Sequence, residues 1–202
     1  MKTIIGLFTV LLIGCGFPKW AKEIAPEIFI TRFETSEGIF EIEVQRKWSP
    51  KAADRFFQLV NHKHFENGVF YRVIPNFVAQ FGSSDTLSSK SWNRIKVPDE
   101  KVILGNTKGT LSFARSGIET RSTELYINLT DNLRLDTLNY KGVVGFPAFG
   151  KVTKGMEVVT ALFSGYEGKS AAKLDLLYND RTTYFEAFPE LDTIQRVSII
   201  QQ

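Results

Sequence analysis

Over residues 40–44, apolar Phe40, Ile42 and Val44 alternate with Glu41 and Glu43. That two-residue period turns apolar side chains to one face of a sheet. A similar β-rich run precedes it, and Ser36-Glu37-Gly38 between the two reads as the turn of a hairpin spanning residues 28–44. The period then lengthens: Ala52, Ala53, Phe56, Phe57, Leu59 and Val60 recur with helical spacing behind Ser49-Pro50. A capping serine followed by proline in the first helical position predicts a helix over residues 50–62. Residues 69–81 are β-rich again but broken at Ile74-Pro75-Asn76. Proline cannot donate to a ladder and asparagine favours a turn, so two short strands around a bend are expected.

Residues 83–98 are polar and without period, and read as a long surface loop. Residues 109–114 and 125–129 look like strands on either side of a polar loop. Residues 143–152 look like a strand interrupted at Pro147, residues 156–163 a short helix, and residues 193–200 a closing strand. Between Gly168 and Leu191 lies an insertion rich in Tyr and Phe, expected to add a short capping helix. The sum is a mainly β fold of about eight short strands with two principal helices. Closure removes exposed sheet edges, so the expected architecture is a closed eight-stranded antiparallel β-barrel capped by two helices.

Composition adds little to this picture except at the N-terminus. The 202 residues carry 25 basic against 22 acidic groups, a net charge of +3 with no local basic cluster, so no nucleic-acid partner is expected. Seventeen Phe suggest an aromatic core or groove. Residues 1–15 place one positive charge, Lys2, before an uncharged run of about a dozen mostly apolar residues, the layout of a signal peptide and too short for a membrane-spanning helix of roughly 20 residues. The run ends at Leu12-Ile13-Gly14-Cys15, which resembles a bacterial lipobox, and Cys15 is the only cysteine. The expected organisation is a signal peptide over 1–15 ending at a lipidated Cys15, a tether over 16–25 and one domain over 26–202. With no second cysteine, no internal disulfide holds the fold.

The machinery of covalent or metal catalysis is missing from the pattern. His62 and His64, the only two histidines, lack a third ligand nearby and read as solvated residues at a helix end. No phosphate-cradling glycine loop and no nucleophile elbow is present, and Asp85 and Asp131 could pair only by coincidence of folding. No cofactor or metal is expected.

Four ordered segments carry a different signal. Residues 70–80, Phe-Tyr-Arg-Val-Ile-Pro-Asn-Phe-Val-Ala-Gln, resemble the cyclophilin signature Phe-His-Arg-Ile-Ile-Pro-x-Phe-Met-x-Gln. Residues 109–115, Gly-Thr-Leu-Ser-Phe-Ala-Arg, resemble that family's Gly-x-(Leu/Ile)-(Ser/Ala)-Met-Ala-x strand. Residues 122–128, Ser-Thr-Glu-Leu-Tyr-Ile-Asn, resemble its Ala-x-Ser-Gln-Phe-Phe-Ile, and Phe149-Gly150-Lys151-Val152-Thr153-Lys154-Gly155-Met156 its Phe-Gly-x-Val-x-x-Gly-Met. The resemblance holds in order and spacing from about residue 28 to residue 163.

It implies a monomeric peptidyl-prolyl cis-trans isomerase acting on proline-containing polypeptides during folding of exported proteins. The lipid at Cys15 would be its only membrane attachment, on the periplasmic side of a bacterial envelope. Arg72 aligns with the catalytic arginine. By the same resemblance Phe77, Val78, Tyr126 and Leu135 would line a proline slot with Phe146 at its rim, Gln80 would accept from Arg72, and the backbone of Ala114 and Arg115 would pair with substrate. Tyr71 and Glu124 complete the set. Departures from the family pattern are Glu124 for Gln, which brings a carboxylate toward Arg72, Leu125 for Phe, Arg134 for Trp or Phe, and Val78 for Met. Two other expectations follow from these departures and from the insertion: a catalytically weak proline-peptide binder, and a lipoprotein whose residues 178–188 dock on an envelope partner.

Overall fold

In the computed structural model of the protein, which describes residues 18–82 and 86–202, the first hairpin pairs β1 (Ile28–Thr35) with β2 (Ile39–Gln45). Alternation has its expected effect: Phe29, Phe33, Phe40, Ile42 and Val44 are all completely buried. Helix α1 (Pro50–Asn61) follows, its apolar face against the sheet. Its cap differs from expectation. Ser49 makes no side-chain cap bond; its hydroxyl donates to the Glu100 carboxylate, which itself accepts from the Lys51 and Ala52 amides at 2.9 and 3.2 Å. A carboxylate from a distant loop thus satisfies the helix's orphan donors and faces the positive end of its dipole.

The chain continues through β3 (Gly68–Val69), β4 (Arg72–Val73), β5 (Val78–Phe81), α2 (Thr86–Asn93), β6 (Thr110–Phe113) and β7 (Leu125–Asn128). Beyond these come α3 (Arg134–Thr137), β8 (Asn139–Tyr140), β9 (Val143–Val144), β10 (Ala148–Lys154), α4 (Met156–Ala161), α5 (Leu174–Asn179), α6 (Arg181–Ala187) and β11 (Thr193–Gln201). Nine strands form one antiparallel sheet in the order β3-β11-β1-β2-β10-β6-β7-β5-β4, while β8 and β9 form a separate hairpin. Laid flat at about 4.8 Å per strand, β3 and β4 would stand about 38 Å apart. Only Phe70 and Tyr71 separate them in the chain, a reach of about 11 Å. The sheet must therefore curl until its two ends meet.

The expected eight strands become nine because residues 68–73 do not form one continuous strand. Phe70 bonds its amide to the Asp192 carbonyl at 2.9 Å, and β3 pairs with β11 while β4 pairs with β5. The ladder is curled but not continuously closed. The expected loop over 83–98 is also corrected: it contains α2, anchored by buried Trp92, whose ring lies 4.0 Å from that of Trp20. Residues 83–85, Asp85 among them, lie outside the described residues, as do residues 1–17 with Cys15.

The core is a continuous aromatic cluster, with Phe33 stacked on Phe40 at 4.7 Å and Phe113 on Phe149 at 5.3 Å. His64, expected as a solvated residue at a helix end, packs against this core instead: it is buried, lies 5.4 Å from the Phe65 ring and hydrogen-bonds the Gly82 carbonyl at 2.8 Å. Residues 18–25, the later part of the stretch read as a tether, lie against α1, where the Ala25 amide donates to Asp54 at 3.0 Å and His62 meets Glu23 at 2.7 Å. The insertion forms two helices, α5 and α6, instead of one. With Leu191 they pack on Val69 and Tyr71, directly over the gap between β3 and β4, and Ser170 Oγ donates to the Tyr71 carbonyl at 2.6 Å. Aromatic Tyr166, Tyr184, Phe185 and Phe188 are used in this packing.

Candidate active site

Four strands bring the site together in one row. Arg72 on β4 is opposite Gln80 on β5, Gln80 is opposite Tyr126 on β7, and Tyr126 is opposite Ser112 on β6. Directly opposed residues share a sheet face, so register alone gathers Arg72, Gln80 and Tyr126. Arg72 Nη1 donates to Gln80 Oε1 at 2.5 Å, and its guanidinium lies 5.6 Å from the Phe77 ring centroid. Phe77 follows the bend at residues 74–77, where the Phe77 amide donates to the Ile74 carbonyl at 3.0 Å. Around these groups lies a mostly apolar cavity of about 140 Å³, lined by Arg72, Phe77, Val78, Gln80, Ala114, Arg115, Tyr126, Leu135 and Phe146. Val78, Tyr126, Leu135 and Phe146 form its buried cluster.

Nine of the eleven residues singled out from the sequence thus share one cavity. The other two, Tyr71 and Glu124, line a larger polar cavity of about 330 Å³ that shares Ala114 and Arg115 with the first. Tyr71 precedes Arg72 on the chain, so its side chain leaves the opposite side. Burial, together with a hydrogen bond to the Glu124 carboxylate, holds the Tyr71 hydroxyl well above the usual phenol range. The polar partner of Arg72 is Gln80 rather than Glu124. Arg134 is exposed, yet its guanidinium lies 5.1 Å from the Phe77 ring centroid, a planar group beside the pocket.

One flank of the cavity rests on a polar hub that sequence reasoning missed. Asn106, completely buried, accepts from the Tyr126 hydroxyl at 2.9 Å and from Asn128 Nδ2 at 3.1 Å. Its own Nδ2 donates to Asp136 and to the Phe146 carbonyl, both at 2.8 Å. Asn132 Nδ2 donates to the Phe77 carbonyl and to Asn128, and the Phe146 amide donates to the Leu135 carbonyl. Phe77, Tyr126, Leu135 and Phe146 are all fixed through this network. Gly145 lets the chain approach: at φ 75° a Cβ there would meet the Asp136 carbonyl at 2.5 Å. Asn128 lies within a quoted motif, but Asn106, Asn132 and Asp136 carried no local signal.

The other flank is built from charges. Arg115 Nη2 donates to the Val143 carbonyl at 3.0 Å, and its guanidinium lies 4.1 Å from the Phe146 ring centroid. Its Nη1 and Arg121 Nε are each 3.9 Å from the same oxygen of Asp99, too far for hydrogen bonds. Both guanidiniums are shut from solvent, and Nε and Nη1 of each have no hydrogen-bond partner. Among the described residues no group of His, Cys, Asp and Glu has the makings of a metal site.

Comparison with known proteins agrees with this geometry. Residues 30–178 match the family model described as cyclophilin type peptidyl-prolyl cis-trans isomerase. The chain is 31% identical to peptidyl-prolyl cis-trans isomerase A of Dickeya dadantii over 78% of its length and 81% of the relative's. It is 33% identical to a peptidyl-prolyl cis-trans isomerase of Acinetobacter baylyi over 64% of its length and 69% of the relative's. In fold it is similar to crystal structures of a cyclophilin-type isomerase from Cryptosporidium parvum, one of them determined in the presence of the dipeptide Ala-Pro. Their TM-scores are 0.63 and 0.61 at 20% identity, with 87% and 86% of this chain and 99% of each relative covered. A curled antiparallel sheet, a row of Arg72, Gln80 and Tyr126 across it and a family match over three-quarters of the sequence lead to one statement: the chain belongs to the cyclophilin-type peptidyl-prolyl cis-trans isomerase family.

Proposed function

We propose that the protein accelerates X-Pro isomerisation, with Arg72 as its catalytic residue and the 140 Å³ cavity as its proline slot. The observation that carries this reading is a guanidinium locked by Gln80 at the wall of an apolar cavity. Rotation about an X-Pro bond meets a barrier of about 18–20 kcal/mol because planarity preserves amide resonance, and it takes tens to hundreds of seconds uncatalysed. No bond is made or broken. A site lowers the barrier by binding the twisted imide better than either planar form.

On twisting, the imide nitrogen becomes pyramidal and gains a lone pair. Arg72, always charged and fixed before substrate arrives, donates a hydrogen bond to that lone pair and needs no reorganisation at the moment of reaction. Phe77, Val78, Tyr126, Leu135 and Phe146 hold the proline ring while the preceding residue turns. Ala114 and Arg115 pair with the substrate backbone as a strand does. The Ala-Pro dipeptide used with the Cryptosporidium relative is the smallest substrate fragment of this kind.

The test is a proline-peptide isomerisation assay on wild type and Arg72→Ala, with circular dichroism to verify the fold. A loss of about a hundred-fold is expected, in line with removal of one preorganised donor. Equal rates remove Arg72 from the mechanism, and peptide binding without acceleration in the wild type decides for a binding module instead. The N-terminal pattern supports a second part of the reading: export, lipidation at Cys15 and service to exported polypeptides in the periplasm, by a monomer. Mass spectrometry of the mature protein checks it, and an N-terminus other than acylated Cys15 overturns the anchor.

A further inference from the structure

Three arginines are buried in the described structure: Arg55, Arg115 and Arg121. Arg121 has the Glu100 carboxylate at 3.0 Å, and both Arg115 and Arg121 have Asp99 at 3.9 Å. Among the described residues Arg55 has no carboxylate partner. Its three nitrogens bond neutral oxygens only, of Gln58, Ser122 and Ile95, and its guanidinium lies 5.1 and 5.6 Å from the rings of Trp20 and Trp92. Burial pushes it down to about 10 with no opposing carboxylate to hold it up. A buried charge is ordinarily paired, so this one calls for an anion from elsewhere.

Arg55 lines a cleft of about 340 Å³ between the N-terminal segment, α1 and residues 95–98. Lys22, Lys51, Lys96 and Arg46 line it too, against Glu23 and Asp54 alone. Asp54 is committed to Arg46, and Glu23 meets His62 through Oε1 while its Oε2 is buried without a hydrogen-bond partner. Among the described residues Lys22 and Lys51 have no carboxylate partner, and Lys96 holds only the Asn93 amide oxygen, at 2.8 Å. Lys96 is itself pushed down by burial and by the charge of Arg55. The volume is that of a small-molecule site.

We propose that this cleft binds a phosphate-bearing ligand, held by Lys22, Lys51 and Lys96 with the Arg55 charge behind them. Several convergent cations suit the multiple oxygens and double charge of a phosphate group better than a single carboxylate. Trp20 supplies an apolar wall for the organic part. These positions are scattered through the first half of the sequence, so only the fold assembles them.

The test titrates the full chain with inorganic phosphate at constant ionic strength and follows Tm and tryptophan emission. A saturable rise in Tm and an emission change are expected, with affinity lowered about ten-fold or more in the exposed-site double variant Lys22→Gln/Lys51→Gln and unchanged in Lys151→Gln. An equal response in the double variant, or the same response to sodium chloride alone, overturns the proposal. Vesicles of phosphatidylglycerol and phosphatidylcholine separate the two sources of such a group. Sedimentation with phosphatidylglycerol that weakens in the double variant assigns a lipid headgroup. No difference between the vesicles, with the phosphate response intact, assigns a soluble phosphate ester. The outcome is independent of the isomerase reading, because none of these residues lines the proline slot.

Discussion

The two flanks of the cavity beside Arg72 hold their walls by opposite means. On the Asn106 side every bond of the hub lies between 2.8 and 3.1 Å, and neutral amides, a hydroxyl and one carboxylate share the load. On the Arg115 side two shielded cations stand 3.9 Å from one carboxylate oxygen and leave buried N–H groups unused, although Arg121 Nη2 also donates to Glu100 at 3.0 Å. A satisfied neutral network specifies one geometry and contributes stability. A loose ionic one costs desolvation for each charge and returns little, so its contribution is to the rim, through the Phe146 contact, more than to the fold.

This contrast can be broken by mutation. The largest effect is expected from Asn106→Ala, which takes a partner from the Tyr126 hydroxyl and from the Phe146 carbonyl inside the core. A stability loss of about 3 kcal/mol, read from denaturant midpoints at constant m-value, should accompany weaker peptide binding. Arg115→Met should change stability by less than about 1 kcal/mol in either direction while raising KM more than it lowers kcat, since Phe146 loses its stacking partner. A loss equal to that of Asn106→Ala would abolish the distinction between the flanks. The smallest change is expected from Tyr126→Phe: one bond is lost but Asn106 keeps Asn128, so about 1 kcal/mol should go with little change in rate. A rate that falls with Tyr126→Phe as steeply as with Arg72→Ala would make the hydroxyl part of the chemistry.

What the sequence made legible follows the range over which each feature is encoded. β1, β2 and α1 carry their own period in seven to twelve residues, and they stand where the pattern put them. α2 escaped because it is eight residues long, and its anchor, Trp92, is explained by rings and a guanidinium distant in sequence, those of Trp20, His62, His64 and Arg55. His64 escaped for the same reason, since its partner is the Gly82 carbonyl. Arg72, Phe77, Val78, Gln80, Ala114, Arg115 and Tyr126 were legible because they lie inside contiguous motifs, whereas Leu135 on α3 and Phe146 before β10 came only with the family resemblance. Asn106, Asn132 and Asp136 belong to loops and a single helical turn, where no spacing distinguishes a buried hub from a solvated amide. The departure at Glu124 was visible, but its consequence was not: which way a carboxylate turns depends on Tyr71, which lies on a strand elsewhere in the sequence.

The split of residues 68–73 into β3 and β4 has a consequence for the order in which the protein assembles. The half that carries Arg72 is set by Gln80, eight residues away, a local hairpin of the kind that closes in microseconds. The half that carries Val69 waits for Thr193 and Ile194 of β11, more than 120 residues further along the chain. During synthesis the Arg72 guanidinium can find its partner early, while the sheet behind it stays open until residues 193 and 194 have emerged, and the slow, non-local step comes after the local one.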